Sequence, residues 1–268
     1  MRNSNLIEHK LNRWYVRWIR PRISAEIDRQ RLKLIYDVWG YAPFLSIKTL
    51  TLRQKLTILR KFLSVDWNVL HGHKPKEISA VCKALAARLA RPGEVVVEAG
   101  CWNGGSSAKF SVMCAALGYR FYIYDSFEGV EQMTPDEISE SFNFSGSYSA
   151  GEEVVRKTLV DYGSPEVCSL HKGWFAETLG TGPLSYSVRL AYIDCDVAAG
   201  TQNALIGIVP SLVSDGQIFS QDFHLPPVRR LLENPATWTG FGKGQPVISG
   251  SGQLATISFD ADDVGHRS

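Results

Sequence analysis

Apolar residues recur at helical spacing through the first third of the chain and in short runs through the rest. Between Ile23 and Trp39, the residues Ile23, Ile27, Leu32, Ile35, Tyr36 and Trp39 fall close to one helical face, and Gly40 and Pro43 end it. The pattern predicts a second helix over 52–63, opened by Thr51 as cap, and a third over 75–89, closed by Arg91-Pro92-Gly93. Beyond Pro92 the pattern changes to strands at 95–97, 121–124, 167–171, 190–193, 217–220, 246–249 and 254–259. Helical stretches over 106–117, 151–162, 201–212 and 228–232 separate most of them. Such alternation predicts an α/β fold with a doubly wound, mostly parallel seven-stranded sheet, residues 91–268, behind a helical N-terminal appendage, residues 1–90. Gly250-Ser251-Gly252 predicts an antiparallel hairpin at the sheet edge. Residues 126–150 show no period and read as a lid or mobile loop.

Charge divides the chain at the same place. Residues 1–90 hold 18 Lys and Arg against 6 Asp and Glu, whereas residues 91–268 hold 11 against 21. A solvated basic face packed on an acidic domain is the preferred reading, with an anionic partner, such as a phosphorylated substrate or a membrane surface, as the alternative. No nucleic-acid partner is expected, and a homo-oligomer is. No apolar run reaches the ~18 residues of a membrane span, and the charged N-terminus lacks a signal-peptide core. The five cysteines form no CxxC pair or zinc spacing. These features predict a cytoplasmic protein with reduced thiols, in which the Asn143-Phe144-Ser145 sequon is a chance match.

The first strand runs into Glu98-Ala99-Gly100-Cys101-Trp102-Asn103-Gly104-Gly105. A glycine turn between strand and helix is where a doubly wound sheet binds nucleotides. A dinucleotide fingerprint needs glycine at the middle position, to admit pyrophosphate, and Trp102 stands there. The indole favours a nucleoside-bearing cofactor without phosphates, and the absence of GxxxxGK[ST] excludes P-loop chemistry. Asp125 ends the second strand at the place expected of a carboxylate that accepts ribose hydroxyls. Asp194 and Asp222 end the fourth and fifth strands, which as neighbours would lie ~4.8 Å apart. Carboxylates that close repel unless one is protonated or a cation lies between them, and hard oxygen donors suit Mg²⁺.

Three blocks in order resemble the macrocin O-methyltransferase family: Glu98–Gly105, Asp125-Ser126-Phe127-Glu128-Gly129, and Gly173-Trp174-Phe175-Ala176-Glu177-Thr178-Leu179. These are class I enzymes that methylate sugar hydroxyls of natural products. The resemblance implies S-adenosylmethionine as cofactor, its methionine end at Glu98, Gly100 and Gly104, its ribose at Asp125 and Ser126, and its adenine at Gly173 and Trp174. It further implies Asp194 as metal ligand and base, with an Asp-Asp pair after the fifth strand completing the site. Gln221 stands where the first Asp of that pair would be, so the expected ligands are Asp194, Gln221 and Asp222, with one negative charge fewer. His224 is the next candidate base. Asp196 reads as a helix cap or a supporting group, and Trp174 and Phe175 could equally be core aromatics. The implied reaction is methylation of a sugar hydroxyl on a small-molecule or glycan acceptor. A catechol-like or phenolic acceptor is the alternative within enzymes, and an inactive nucleoside-binding scaffold the alternative outside them.

Overall fold

The computed structural model describes residues 38–259, so most of the predicted helix over 23–39 lies outside the described residues. Helix α1 (Leu52–Asn68) opens on a reciprocal cap: Gln54 donates its backbone N–H to Thr51 Oγ1, and Gln54 Oε1 accepts the Thr51 N–H at 2.9 Å. Helix α2 (Pro75–Leu85) ends earlier than its periodicity predicts. Beyond it Arg88 turns to bind Glu94 and Asp215, each through N···O contacts of 2.7 Å.

The strands are β1 (Glu94–Ala99), β2 (Arg120–Asp125), β3 (Cys168–Lys172), β4 (Ser187–Ile193), β5 (Leu212–Ser220), β6 (Val247–Ser251) and β7 (Leu254–Ser258). They form one sheet in the order β3-β2-β1-β4-β5-β7-β6. Pairings from β3 through β5 are parallel, and β7 runs antiparallel to both β5 and β6. The predicted hairpin is therefore present, turning at Gly252-Gln253. The connecting helices are α3 (Gly105–Leu117), α4 (Pro135–Glu140), α5 (Glu152–Tyr162), α6 (Phe175–Thr178), α7 (Ala198–Ser211), α8 (Pro226–Glu233) and α9 (Pro235–Trp238).

Alternate residues of the strands feed two cores, as a sheet covered on both faces requires. Val96, Phe121, Leu190, Tyr192 and Phe219 face one way and join Phe62 of α1, Ile78 of α2, Phe110 of α3 and Leu159 of α5. Val97, Ala191, Ile193 and Ile218 face the other way, against Leu205 of α7 and Leu232 of α8. Helices α1 and α2 thus share a core with the sheet. No helix among the described residues is long and apolar enough to cross a membrane.

The aperiodic segment 126–150 is strapped down. Thr134 and Glu137 form a reciprocal cap on α4. Glu137 also accepts the Ala198 N–H at 3.1 Å, at the start of α7, and Glu140 pairs with Arg230 of α8. The segment closes over the carboxyl ends of the strands.

Candidate active site

The chain reverses its direction of travel across the sheet between β1 and β4, and a cavity opens at the carboxyl ends of β1, β2, β4 and β5. This is the switch point where such sheets bind ligands. Gly100 makes the close approach possible. Its φ is 88°, and a Cβ there would lie 1.9 Å from the carbonyl oxygen of Asp194. Gly104, at φ 76°, is the N-cap of α3. All four left-handed non-glycine residues described, Trp102, Phe127, Tyr148 and Asp196, belong to the loops around this cavity, and all but Phe127 line it. Strained backbone of this kind collects at functional sites.

The cavity gathers Gly100, Asp125, Ser126, Trp174, Asp194, Gln221, Asp222 and His224 from the residues predicted, with His224 exposed at the rim. Glu98, Gly104 and Gly173 stand behind its wall. Glu98 is fully buried beneath α3 and accepts the Ser107 hydroxyl; burial raises its pKa to about 8 in spite of the serine hydrogen bonds. Gly173 donates to the Asp125 carbonyl at 3.1 Å and spaces the ends of β2 and β3. Ser126 closes a turn, donating to the Gly129 carbonyl and accepting the Glu128 N–H, both at 3.1 Å.

Asp125 accepts one backbone N–H on each oxygen, Cys101 on Oδ2 and Phe127 on Oδ1, both at 2.7 Å. Each oxygen keeps a lone pair for a ligand hydroxyl. Asp194, Asp196 and Asp222 converge, with one oxygen of each within 4.8 Å of the others. Asp194 lies deep in the protein yet still borders the cavity; burial and the charges of Asp222 and Asp196 drive its pKa well up. Burial and Asp222 raise Asp196 to about 8, and burial raises Asp222.

Gln221 is turned away from this group. Its Oε1 accepts the Tyr192 hydroxyl at 3.0 Å, and its Nε2 donates to Glu77 Oε2 of α2 at 3.0 Å. Because a carboxylate accepts, the amide nitrogen must face Glu77. The third carboxylate is instead Asp196, which does not cap α7: its N–H donates to Asp222 at 2.8 Å, and the N-cap is Val197.

The segment 70–73 supplies residues that sequence reasoning missed. His71 and His73 stack with ring centroids 4.2 Å apart and line the cavity. His71 Nε2 lies 2.9 Å from Asp66 Oδ1, close but bent, and Asp66 also binds buried Lys109 and the Tyr41 hydroxyl. Burial would raise Asp66, yet the His71 contact and the Lys109 charge hold it below the ordinary carboxylate value. Burial, then the charges of Lys109 and His71, push His73 well down, so it is a neutral imidazole. The only available signal was His-Gly-His just before a helix. Tyr148, Glu131 and Gln253 also line the cavity, from positions without periodic pattern.

Among the described residues the cavity wall carries four aspartates and Glu131 but no Lys or Arg. It suits a ligand that brings positive charge or hydroxyl groups and disfavours one rich in phosphate.

The model of the family described as macrocin-O-methyltransferase (TylF) matches residues 77–237. No curated protein sequence matches the chain significantly. Among solved structures, the O-methyltransferase NovP aligns with TM-score 0.63 and 17% identity, covering 78% of this chain and 98% of that one. The calicheamicin methyltransferase CalS11 aligns with TM-score 0.53 and 15% identity, covering 78% and 93%. At these identities the two structures share the fold with this chain.

Proposed function

The chain belongs to the macrocin O-methyltransferase family, and from that premise we propose that it transfers the methyl group of S-adenosylmethionine to a sugar hydroxyl on a glycosylated natural product or glycan. The observation that carries this reading is one cavity with two acidic ends and, among the described residues, no Lys or Arg: Asp125 at β2, and Asp194, Asp196 and Asp222 at β4 and β5. Asp125 would accept the ribose hydroxyls through its spare lone pairs, with Trp174 and Phe175 flanking the adenine. Gly100 would let the methionine end pass close to the backbone. The structural neighbour CalS11, a calicheamicin methyltransferase, supports a natural-product acceptor.

Three oxygen donors this close fit a small divalent cation. Asp194, Asp196 and Asp222 would hold Mg²⁺, which would lower the pKa of a bound hydroxyl. Asp194 is the group to take the hydroxyl proton, since it follows the central strand β4 and abuts the Gly100 turn. His224, exposed at the rim, is the second choice. Catalysis would otherwise rest on positioning the oxygen in line with the methyl group. Calorimetry tests the donor: S-adenosylhomocysteine should bind and NAD should not, and tight NAD binding would overturn the reading. Mass spectrometry of extracts incubated with methyl-labelled donor would then identify the acceptor by its gain of label.

A further inference from the structure

Helix α1 buries one face, through Ile58, Phe62 and Val65, and leaves an apolar line on another. Leu52, Leu56, Leu63 and Trp67 recur at i, i+4, i+11 and i+15, a spacing that keeps them in one row along the helix. Leu52, Leu56 and Trp67 are 67%, 57% and 53% exposed, and Leu70, just past the helix, is 71% exposed. Leu45 is exposed beside the row, because its carbonyl accepts Lys55 Nζ at 2.8 Å. Exposed leucines scattered over a surface are ordinary, whereas a continuous apolar strip marks an interaction site.

The strip has a basic border. Arg53 and Arg60, seven residues apart, are exposed along one flank of it. Residues 38–90 hold 9 Lys and Arg against 2 Asp and Glu. Both acids are drawn inward: Asp66 binds Lys109 and the Tyr41 hydroxyl, and Glu77 accepts from Gln221 Nε2. Lys61, on the side of α1 away from the strip, donates to the Gly163 carbonyl at 2.8 Å. Helix α5, with exposed Glu153 and Asp161, therefore packs on that far side and does not neutralise the border.

Charge decides between the possible occupants. A second copy docked through the same strip would set Arg53 and Arg60 against their own counterparts. Segment 1–37 carries 9 Lys and Arg against 4 Asp and Glu, so it too would meet like charge. An anionic surface meets opposite charge. We propose that α1 is a docking face for an anionic lipid bilayer, lying in the plane of the membrane. Leu52, Leu56, Trp67 and Leu70 enter the boundary between headgroups and acyl chains, and Arg53 and Arg60 pair with lipid phosphates. Leucine and tryptophan on one strip with arginine beside it is the side-chain pattern of helices that lie on a membrane without crossing it. This assignment does not depend on the methyltransferase reading.

The test sediments the full chain with vesicles of phosphatidylcholine, or of phosphatidylcholine and phosphatidylglycerol in equal parts. The mixed vesicles should bind the protein about tenfold more tightly than the neutral ones, and added salt should erode the difference. Arg53→Ala and Arg60→Ala should each weaken that binding about fivefold. Leu52→Ser combined with Leu56→Ser, which leaves charge untouched, should weaken it by about tenfold or more. Both positions are exposed, so melting temperature and S-adenosylhomocysteine affinity should not change. No binding to mixed vesicles, equal binding to both kinds, or binding indifferent to the leucine pair would overturn the proposal. Two results without lipid would overturn it as well. Conversion of a dimer to a monomer by the leucine pair, in sedimentation velocity, would mean that a second copy covers the strip. A clear fall in melting temperature would mean that the chain covers it itself.

Discussion

Asp125 ends β2 and Asp222 follows β5, with β1 and β4 between those strands, and each accepts two backbone N–H groups, yet they are anchored differently. Asp125 spends one N–H on each oxygen, so its carboxylate is centred between Cys101 and Phe127. Asp222 takes both, from Cys195 and Asp196, on Oδ2 alone at 2.8 Å. Its Oδ1 takes no backbone N–H among the described residues. Symmetric anchoring leaves two equivalent weak acceptors, suited to a pair of hydroxyls. One-sided anchoring leaves one undressed oxygen, suited to a cation or a shared proton. The number of hydrogen bonds does not tell the two sites apart; their distribution over the two oxygens does.

The largest effect should come from the one-sided site. Asp194→Asn should lower turnover by ~10²–10⁴-fold, the range for loss of a general base, with S-adenosylhomocysteine affinity nearly intact by calorimetry. Chelation should depress wild-type turnover too; full activity in EDTA, together with an inactive His224→Ala, would transfer the proton to His224. At the symmetric site, Asp125→Ala should weaken donor binding by roughly 1–3 kcal/mol, through lost charge-assisted hydrogen bonds. A smaller effect belongs to the pair Gln221 and Glu77. Gln221→Asp sets a carboxylate against Glu77 and should lower stability by about 1–2 kcal/mol in urea unfolding; adding Glu77→Gln should recover most of it. An additive double variant would mean that the two side chains do not interact.

The smallest effect is a slope with pH. Burial raises Glu98, and burial with the Asp222 charge raises Asp196, each to about 8. The unfolded chain gives up these protons at ordinary carboxylate values, so the folded state holds more protons near neutrality. Their contribution is therefore fully present only below the ordinary carboxylate values and is lost as pH rises from there through about 8. Added Mg²⁺ should flatten the slope due to Asp196 but not that due to Glu98. Melting curves from roughly pH 6 to 9, with and without the cation, would separate the two contributions.

The sheet and its chemistry were legible to different depths. All seven strands follow from apolar runs, because a doubly covered sheet repeats one local rule. Trp102 was readable as a bar to pyrophosphate, and the cavity it borders carries no Lys or Arg among the described residues. The cap on α4, carried by Thr134 and Glu137, was missed, because the absence of a longer period hid the helix it opens. Gln221 was expected among the metal ligands, and its bonds to Glu77 and Tyr192 were not legible because those partners are 144 and 29 residues away. Asp196 was read as a cap because position before a helix is a local cue, whereas convergence on Asp222 is a tertiary one. The His71 contact with Asp66 is hidden for the same reason: the two lie at the end of α1, but Lys109, which fixes Asp66, comes from α3.

Asp196 holds a left-handed backbone, φ 62°, and the hydrogen bond from its N–H to Asp222 helps keep it there. An aspartate in that conformation gains by relaxing, so the loop after β4 is a sprung element with the Asp222 carboxylate as its catch. Time, rather than affinity, then becomes a property of the site. Each opening of the catch exposes the Asp196 amide to solvent, and its hydrogen-exchange rate measures how often the three carboxylates come apart. Protonating Asp222 weakens the catch and speeds the exchange; filling the carboxylate cluster slows it. A single amide can thus serve as a clock for the assembly of the reacting centre.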